Sequence, residues 1–340
     1  MEDRKLGIAI HGAGWVAHAH ARSWLKEPHA EVVSVSDVRK ERAEQLIAEM
    51  GLRCPARSDY GEVLRDRRVD VVDVCTPSHV HAQQGIAAAA AGKHLLVEKP
   101  IALTAEENRA LRDAVAKAGV RSLASFVLRW NPMIETVKGL LESGAIGQVF
   151  YIEVDYWHGI RPDHHAWDLY SRRATAGSAM LLAGCHAVDA ARWLGGEVLE
   201  VAALGNNCRG LYEFEPAVVA ILKFQGGAIG KVSALIDCEL PYAFNVDVAG
   251  TEGTLRDNRL WSKKLFPRQT GWVAIPTILP DSGDVAHHPF DAEVSHLVDC
   301  IRAGRESHCN IADAFRTHEV CLAIDRSVAL GGRPVQLPLE

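Results

Sequence analysis

Apolar runs alternate with amphipathic stretches over roughly the first 125 residues. Nearly unbroken apolar runs occupy 6–12 (LGIAIHG), 31–37 (EVVSVSD), 69–75 (VDVVDVC), 94–99 (HLLVEK) and 121–127 (RSLASFV). Strands buried on both faces read this way, because neither face meets water. Between them, 15–26, 39–50, 79–91 and 104–118 show helical spacing. Thr104, with Glu107 three residues on, forms a capping box that opens the last of these. Regular strand–helix succession predicts a parallel sheet with crossover helices.

After about residue 130 the period changes. A helix is expected at 131–142, and VFYIEVDYW (149–157) alternates like a half-exposed strand. A helical stretch covers 178–194. Strand-like runs at 197–205, 216–224, 228–236, 243–250 and 270–275 are separated by turns such as Gly226-Gly227. These predict hairpins in an antiparallel or mixed sheet. Helices return at 290–303 and 312–330. A chain of 340 residues exceeds one ordinary core. The expected division is a doubly wound α/β domain over 1–126 and a second domain over 127–340.

Composition narrows the class. With 48% hydrophobic and 24% charged residues, the chain reads as a soluble globular protein. A net charge of −6 argues against a nucleic-acid or anionic-membrane surface. No apolar run approaches the roughly 18 residues of a membrane helix. The start, MEDRKLGIAIHGAG, lacks the apolar core and cleavage site of a signal peptide. Eight cysteines form no C-x-x-C pair, and several sit in apolar surroundings. Buried free thiols in a reducing, cytoplasmic protein are expected.

The first apolar run ends in Gly12-Ala13-Gly14-Trp15-Val16-Ala17, a G-x-G-x-x-A turn between strand and helix. Gly12 permits a tight turn, and Gly14 lets the backbone approach a pyrophosphate seated on the helix N-terminus. The second run ends at Asp37, whose carboxylate can accept both ribose hydroxyls of an adenosine and would repel a 2′-phosphate. NAD is therefore favoured over NADP; a helix-capping role for Asp37 is the alternative. Thr76 and Pro77, in CTPSHVH (75–81), end the third run at the sheet edge where ligands bind. His79 and His81 read equally as first-turn surface residues. Glu98-Lys99-Pro100 ends the fourth run over the same crevice. A poorly hydrated lysine beside a cationic nicotinamide would have a lowered pKa and could exchange a proton with a substrate oxygen. Glu98 can orient it, and Pro100 fixes the turn. A solvent-facing lysine at a strand end is the plainer alternative.

In this order and spacing, GAGWVA, SDV, CTPSHVH, VEKP and RWNP (129–132) resemble the Gfo/Idh/MocA oxidoreductase family. The resemblance spans nearly the whole chain. It implies a Rossmann domain followed by a domain with an open, mostly antiparallel sheet that often mediates homodimers or homotetramers. It also implies that Lys99 is catalytic, with a commonly cis Lys99–Pro100 bond, and that Thr76, Pro77 and His81 lie beside the nicotinamide ribose.

SAMLLAGCHAVDAARWL (178–194) is similar to a second family segment, with Gly184, His186 and Asp189 matching. There the histidine is catalytic or substrate-binding. An acid four places earlier often assists it; here that place holds Leu182. Replacement donors are sought in YWHGIRPDHHAWDLY (156–170): His158, Asp163, His164, His165 and Asp168. Aromatic faces stack well on sugar C–H surfaces. Arg129, Trp157, His158, His165, Trp167 and His186 are the expected substrate residues. A histidine bonded to Asp189 or to a carbonyl is the plainer reading of His186. The histidine spacing matches no structural zinc pattern, so no metal is expected. His287 and His288 read as surface caps.

The expectation is an NAD(P)-dependent oxidoreductase interconverting a secondary alcohol and a ketone on a sugar, cyclitol or glycoside, with no nucleic-acid or membrane partner. An enzyme that cleaves a glycoside while recycling its NAD is one alternative, and a non-catalytic NAD-sensing regulator is another. No P-loop and no G-x-S-x-G elbow occurs.

Overall fold

The computed structural model describes residues 4–277 and 288–339. The chain forms two compact units: Met1–Phe126 with Pro289–Arg316, and Val127–His288 with Thr317–Glu340.

The first unit holds a six-stranded parallel sheet in the order β3-β2-β1-β4-β5-β6. Its strands are β1 (Leu6–His11), β2 (Ala30–Ser36), β3 (Ala56–Arg57), β4 (Val71–Val74), β5 (His94–Val97) and β6 (Ser122–Ala124). Its crossover helices are α1 (Trp15–Lys26), α2 (Lys40–Met50), α3 (Tyr60–Arg65), α4 (His81–Ala90) and α5 (Ala105–Ala118). β4 and the last three residues of β5 are wholly buried, as unbroken apolar runs require. The Thr104–Glu107 capping box forms at the head of α5. The two-residue β3 and the short α3 are too brief to leave a periodic pattern.

Residues 289–316, expected in the second domain, pack with the first unit. The reason lies along the helix Phe290–Ala303. Asp291 accepts hydrogen bonds from Ser23 (2.6 Å) and Lys26 (2.7 Å), and Ser295 donates to Glu27 (2.6 Å). The Phe290 ring lies 4.8 Å from that of His20.

The second unit is built on a nine-stranded sheet in the order β14-β13-β12-β11-β7-β10-β9-β8-β15. After α6 (Pro132–Glu142) come β7 (Val149–Trp157), two single turns α7 (Trp167–Tyr170) and α8 (Arg173–Ala176), and α9 (Cys185–Gly195). The strands β8 (Val198–Asn206), β9 (Ala217–Phe224), β10 (Ile229–Leu235), β11 (Ala243–Gly250), β12 (Gly253–Arg256), β13 (Arg259–Ser262), β14 (Val273–Ala274) and β15 (Val335–Gln336) follow. The remaining helices are α10 (Phe290–Ala303) and α11 (Ile311–Ala329). The sheet is antiparallel apart from the β7–β10 pair. The run expected at 270–275 shrinks to the two residues of β14, and β12 and β13 are too short to reveal alternation. None of the eight cysteines forms a disulfide among the described residues, and five of them are buried. Among the described residues, no helix is long and apolar enough to cross a membrane.

Candidate active site

In the first unit, Gly12 has φ +96, and a Cβ there would fall 2.6 Å from the Cys75 carbonyl and 2.7 Å from the Thr76 nitrogen. Only glycine fits. Gly14 caps α1 with no side-chain hydrogen bond, and a Cβ on it would meet open space. The helix N-terminus thus presents backbone donors without a side chain in the way. Trp15 is exposed, Val16 half-buried and Ala13 buried. Asp37 accepts the Ala13 N–H (2.9 Å) and the Arg39 N–H (2.9 Å). It is not the cap of α2, which opens on Arg39 without a side-chain bond. The carboxylate is instead tied to the glycine turn. These groups fit the pyrophosphate and adenosine ribose of a dinucleotide.

At the end of β4, the Thr76 hydroxyl donates to Gln84. His79 is exposed, as its surface reading expects, whereas His81 is buried. The His81 Nδ1 lies 2.8 Å from the Pro100 carbonyl and its Nε2 lies 2.6 Å from that of Thr76. This ring braces one strand end against the next. Burial lowers its pKa, against the pull of the two carbonyls.

β5 ends at Val97, and the Lys99–Pro100 peptide bond that follows is cis. Lys99 is half-buried. The buried Glu98 accepts the Lys99 backbone N–H at 3.0 Å and lies 3.1 Å from His20 Nε2. Burial pushes Glu98 up, but the hydrogen bond and charge of His20 and the charge of Lys99 hold it below the usual carboxylate range. Because β1, β4 and β5 are parallel neighbours, the glycine turn, Thr76-Pro77 and Glu98-Lys99-Pro100 share the carboxyl edge of one sheet.

In the second unit, a π-helical turn (Met180–Gly184) runs into α9. Such turns recur at functional sites. Ser178 starts it, taking the Leu181 N–H on its hydroxyl (3.1 Å) and the Leu182 N–H on its carbonyl (2.9 Å). A Cβ on Gly184 would come within 2.9 Å of Ala234 Cβ, so the turn packs closely on β10. His186, buried at the start of α9, stacks on Tyr156 with centroids 5.9 Å apart and planes at 11°. Tyr156 also meets Tyr242 (5.1 Å) and Phe244 (6.4 Å) edge-on. The His158 ring lies 5.5 Å from Tyr242, and its Nδ1 is 3.4 Å from the Tyr156 hydroxyl. Tyr156, Tyr242 and Phe244 carry no sequence motif; the alternation of β7 is the signal that puts Tyr156 on the buried face.

Leu182 is buried in the π turn. Among the residues sought to replace its missing acid, His158 has ring contacts to the same tyrosines. His164 accepts the Ala166 N–H, Asp163 is exposed, and the exposed Asp168 lies 3.9 Å from Arg172. His165 is exposed with its ring 4.2 Å from His164, and Trp167 meets Tyr212 edge-on at 5.0 Å. His287 lies outside the described residues; the His288 ring is 6.0 Å from Tyr242.

Two expected substrate residues are placed otherwise. Arg129 is buried, and its guanidinium binds both Asp189 oxygens (2.6 and 2.7 Å) while lying over Trp193. Thr317 also donates to Asp189. This buried fork braces α9, and it occupies the Asp189 partner considered for His186. Trp157 follows Tyr156 on β7 and so points to the opposite face, where its Nε1 donates to Ser233 (2.9 Å).

Residues 6–126 match the family described as "Oxidoreductase family, NAD-binding Rossmann fold", and residues 134–256 match the "GFO/IDH/MocA C-terminal domain". The chain belongs to the Gfo/Idh/MocA oxidoreductase family. One family relative, the scyllo-inositol 2-dehydrogenase (NAD(+)) of Bacillus subtilis (strain 168), is 28% identical, covering 99% of this chain and 98% of its own. A levoglucosan dehydrogenase of Pseudarthrobacter phenanthrenivorans is 28% identical over 74% of this chain and 73% of its own. The solved structure of a levoglucosan dehydrogenase in complex with NADH superposes with a TM-score of 0.88 at 24% identity, over 99% of this chain and 100% of that one.

Proposed function

We propose that this chain is an NAD-dependent dehydrogenase that interconverts a secondary alcohol and a ketone on a sugar or cyclitol. The observation that carries the reading is the single sheet edge holding the glycine turn, Asp37 and Lys99. Relatives named for inositol and levoglucosan point to a ring polyol.

Gly12–Gly14 and the head of α1 hold the pyrophosphate, and Asp37 holds the adenosine ribose. Thr76, Pro77 and His81 shape the nicotinamide end, with His81 acting as brace. NAD, when bound, accepts or supplies the hydride. Lys99 takes the hydroxyl proton during oxidation and returns it during reduction. His186, held flat by Tyr156, is suited to exchange a hydrogen bond with a polyol hydroxyl. Tyr156, Tyr242 and His158 form the wall against which its C–H face packs. Arg129 serves the site by holding α9. The test is NADH formation from a panel of cyclitols and sugars.

Asp37→Ser is expected to raise the ratio of NADP to NAD efficiency about 10–100-fold, because the charge that opposes a 2′-phosphate is gone. Comparing kcat/KM for the two cofactors checks this, and an unchanged ratio removes Asp37 from the ribose site. The loss of the Ala13 tie lowers both values and leaves their ratio informative.

The face of the second unit's sheet that carries Trp157 also exposes Leu204, Val219, Ile221 and Ile229. An apolar set of this kind on a sheet face fits a second copy of the chain. Ile221→Glu is expected to convert a dimer or tetramer to a smaller species by light scattering; an unchanged mass places the interface elsewhere. A cytoplasmic location is part of the same proposal.

A further inference from the structure

Beneath the Glu98-Lys99-Pro100 turn lies a buried polar chain for which the proposed chemistry has no use. His20, on α1, is fully buried. Its Nδ1 is 3.0 Å from both Asp73 oxygens and its Nε2 is 3.1 Å from Glu98 Oε1. A neutral imidazole has one N–H and would aim a lone pair at one of these carboxylates; only the doubly protonated ring donates to both. Asp73 also accepts the Trp24 indole N–H (2.7 Å) and the Cys75 thiol (3.3 Å). His20, Asp73 and Cys75 have their donor atoms within 4.8 Å of one another, but a ring with two N–H groups has no lone pair for a cation.

The groups that face this pair come from every neighbouring element. Lys99 follows Glu98 and acts on it electrostatically, as does His20 from α1. His81 of α4 feels both Glu98 and Lys99. Ser125 hydrogen-bonds Glu98 and lies 3.1 Å from Glu293 Oε2 of α10. Burial pushes Glu293 well above the usual carboxylate range, and its Oε1 has no hydrogen-bond partner. For His20, burial acts downward, but Asp73 and Cys75 outweigh it and hold the ring well above its ordinary value. Glu98 and His20 are thus both pulled toward their charged forms, while Glu293 is pushed toward its neutral one.

We propose that His20 is a positioning residue: by donating to Asp73 and Glu98 together, it fixes the Glu98 carboxylate, as an anion, on the peptide N–H of Lys99. The role rests on the assignment of Lys99 as the proton-transfer group. Without His20, Glu98 loses the buried donor that offsets its desolvation. Glu98 is then drawn toward its protonated form, and Lys99 loses part of its anionic neighbour.

The test compares parent, His20→Gln, Glu98→Gln and the double variant, each with NAD and a polyol that the parent oxidises. His20→Gln is expected to lower kcat about tenfold, to leave KM for NAD within twofold, and to move the acid limb of the kcat profile about one pH unit lower. Glu98→Gln moves the limb the same way. In its background, His20→Gln adds no further movement, since the path through Glu98 is already cut. An unmoved limb in folded His20→Gln, or additive shifts, overturns the proposal. A 15N-histidine spectrum of the parent gives a second readout that requires no turnover and no folded variant of His20. An imidazolium signature with two N–H groups between pH 6 and 8 is expected from a ring bridging two carboxylates, and a neutral tautomer overturns the proposal. Absence of turnover on every polyol would defeat the dehydrogenase reading while the 15N result still decides the state of His20.

Discussion

Lys99→Ala is expected to lower kcat by about 10³–10⁴-fold, near the top of the range for a general acid–base group, and to leave NAD affinity within about twofold. The effect follows from what the side chain holds and what it leaves alone. Glu98 grips the backbone N–H of residue 99, a contact that alanine preserves. His81 grips the Pro100 carbonyl, which alanine also preserves. The turn therefore keeps its geometry, and the glycine turn and Asp37 keep the cofactor. What disappears is the group that takes the hydroxyl proton. Steady-state kinetics with NADH fluorescence titration checks both halves. Turnover within tenfold of the parent would remove Lys99 from the chemistry.

His186→Ala is expected to cost about 10²–10³-fold in kcat/KM for the polyol, with most of the loss in kcat. The imidazole is fixed by Tyr156 on one side and by the π turn that leads into α9. Tyr156→Leu keeps a large apolar group but loses the flat platform. It should give an intermediate loss, chiefly in KM. Equal kcat/KM in parent and His186→Ala would leave His186 a packing residue of α9.

The parts of this site carried by contiguous residues are legible in the sequence. The glycine turn, Asp37, Thr76-Pro77 and Glu98-Lys99-Pro100 each end an apolar run, so strand order alone brings them to one edge. The Thr104 cap and the alternation of 149–157 are local patterns, and both reappear as elements. What the sequence hides is long-range. His20 and Glu98 are 78 residues apart, and no period links them. Ser125 and Glu293 are 168 apart, and the apolar spacing of 290–303 does not say which unit α10 will cover. Trp157 looks as good a sugar platform as Tyr156 until the two-residue period of β7 separates their faces. Arg129, at the head of RWNP, reads as a substrate residue until Asp189 on α9 closes on it.

The family resemblance carries the sequence further than spacing does, and Leu182 is where it meets this chain's own chemistry. An apolar residue stands four places before His186, and His158 contacts the same Tyr156 ring on which His186 stacks. His158→Ala should therefore lower kcat about tenfold or more, as a group assisting His186 would, whereas a simple wall residue would raise KM alone.

The measurement that bears most directly on the account is a side-by-side assay of the parent chain and Lys99→Ala with NAD and a panel of cyclitols and sugars that includes scyllo-inositol and levoglucosan, following NADH and ketone together. At least one polyol is expected to yield NADH and ketone in equal amounts with the parent, and Lys99→Ala to yield neither at a comparable rate. Silence of the parent across the panel, glycoside cleavage with no net NADH, or equal rates from both proteins would contradict it.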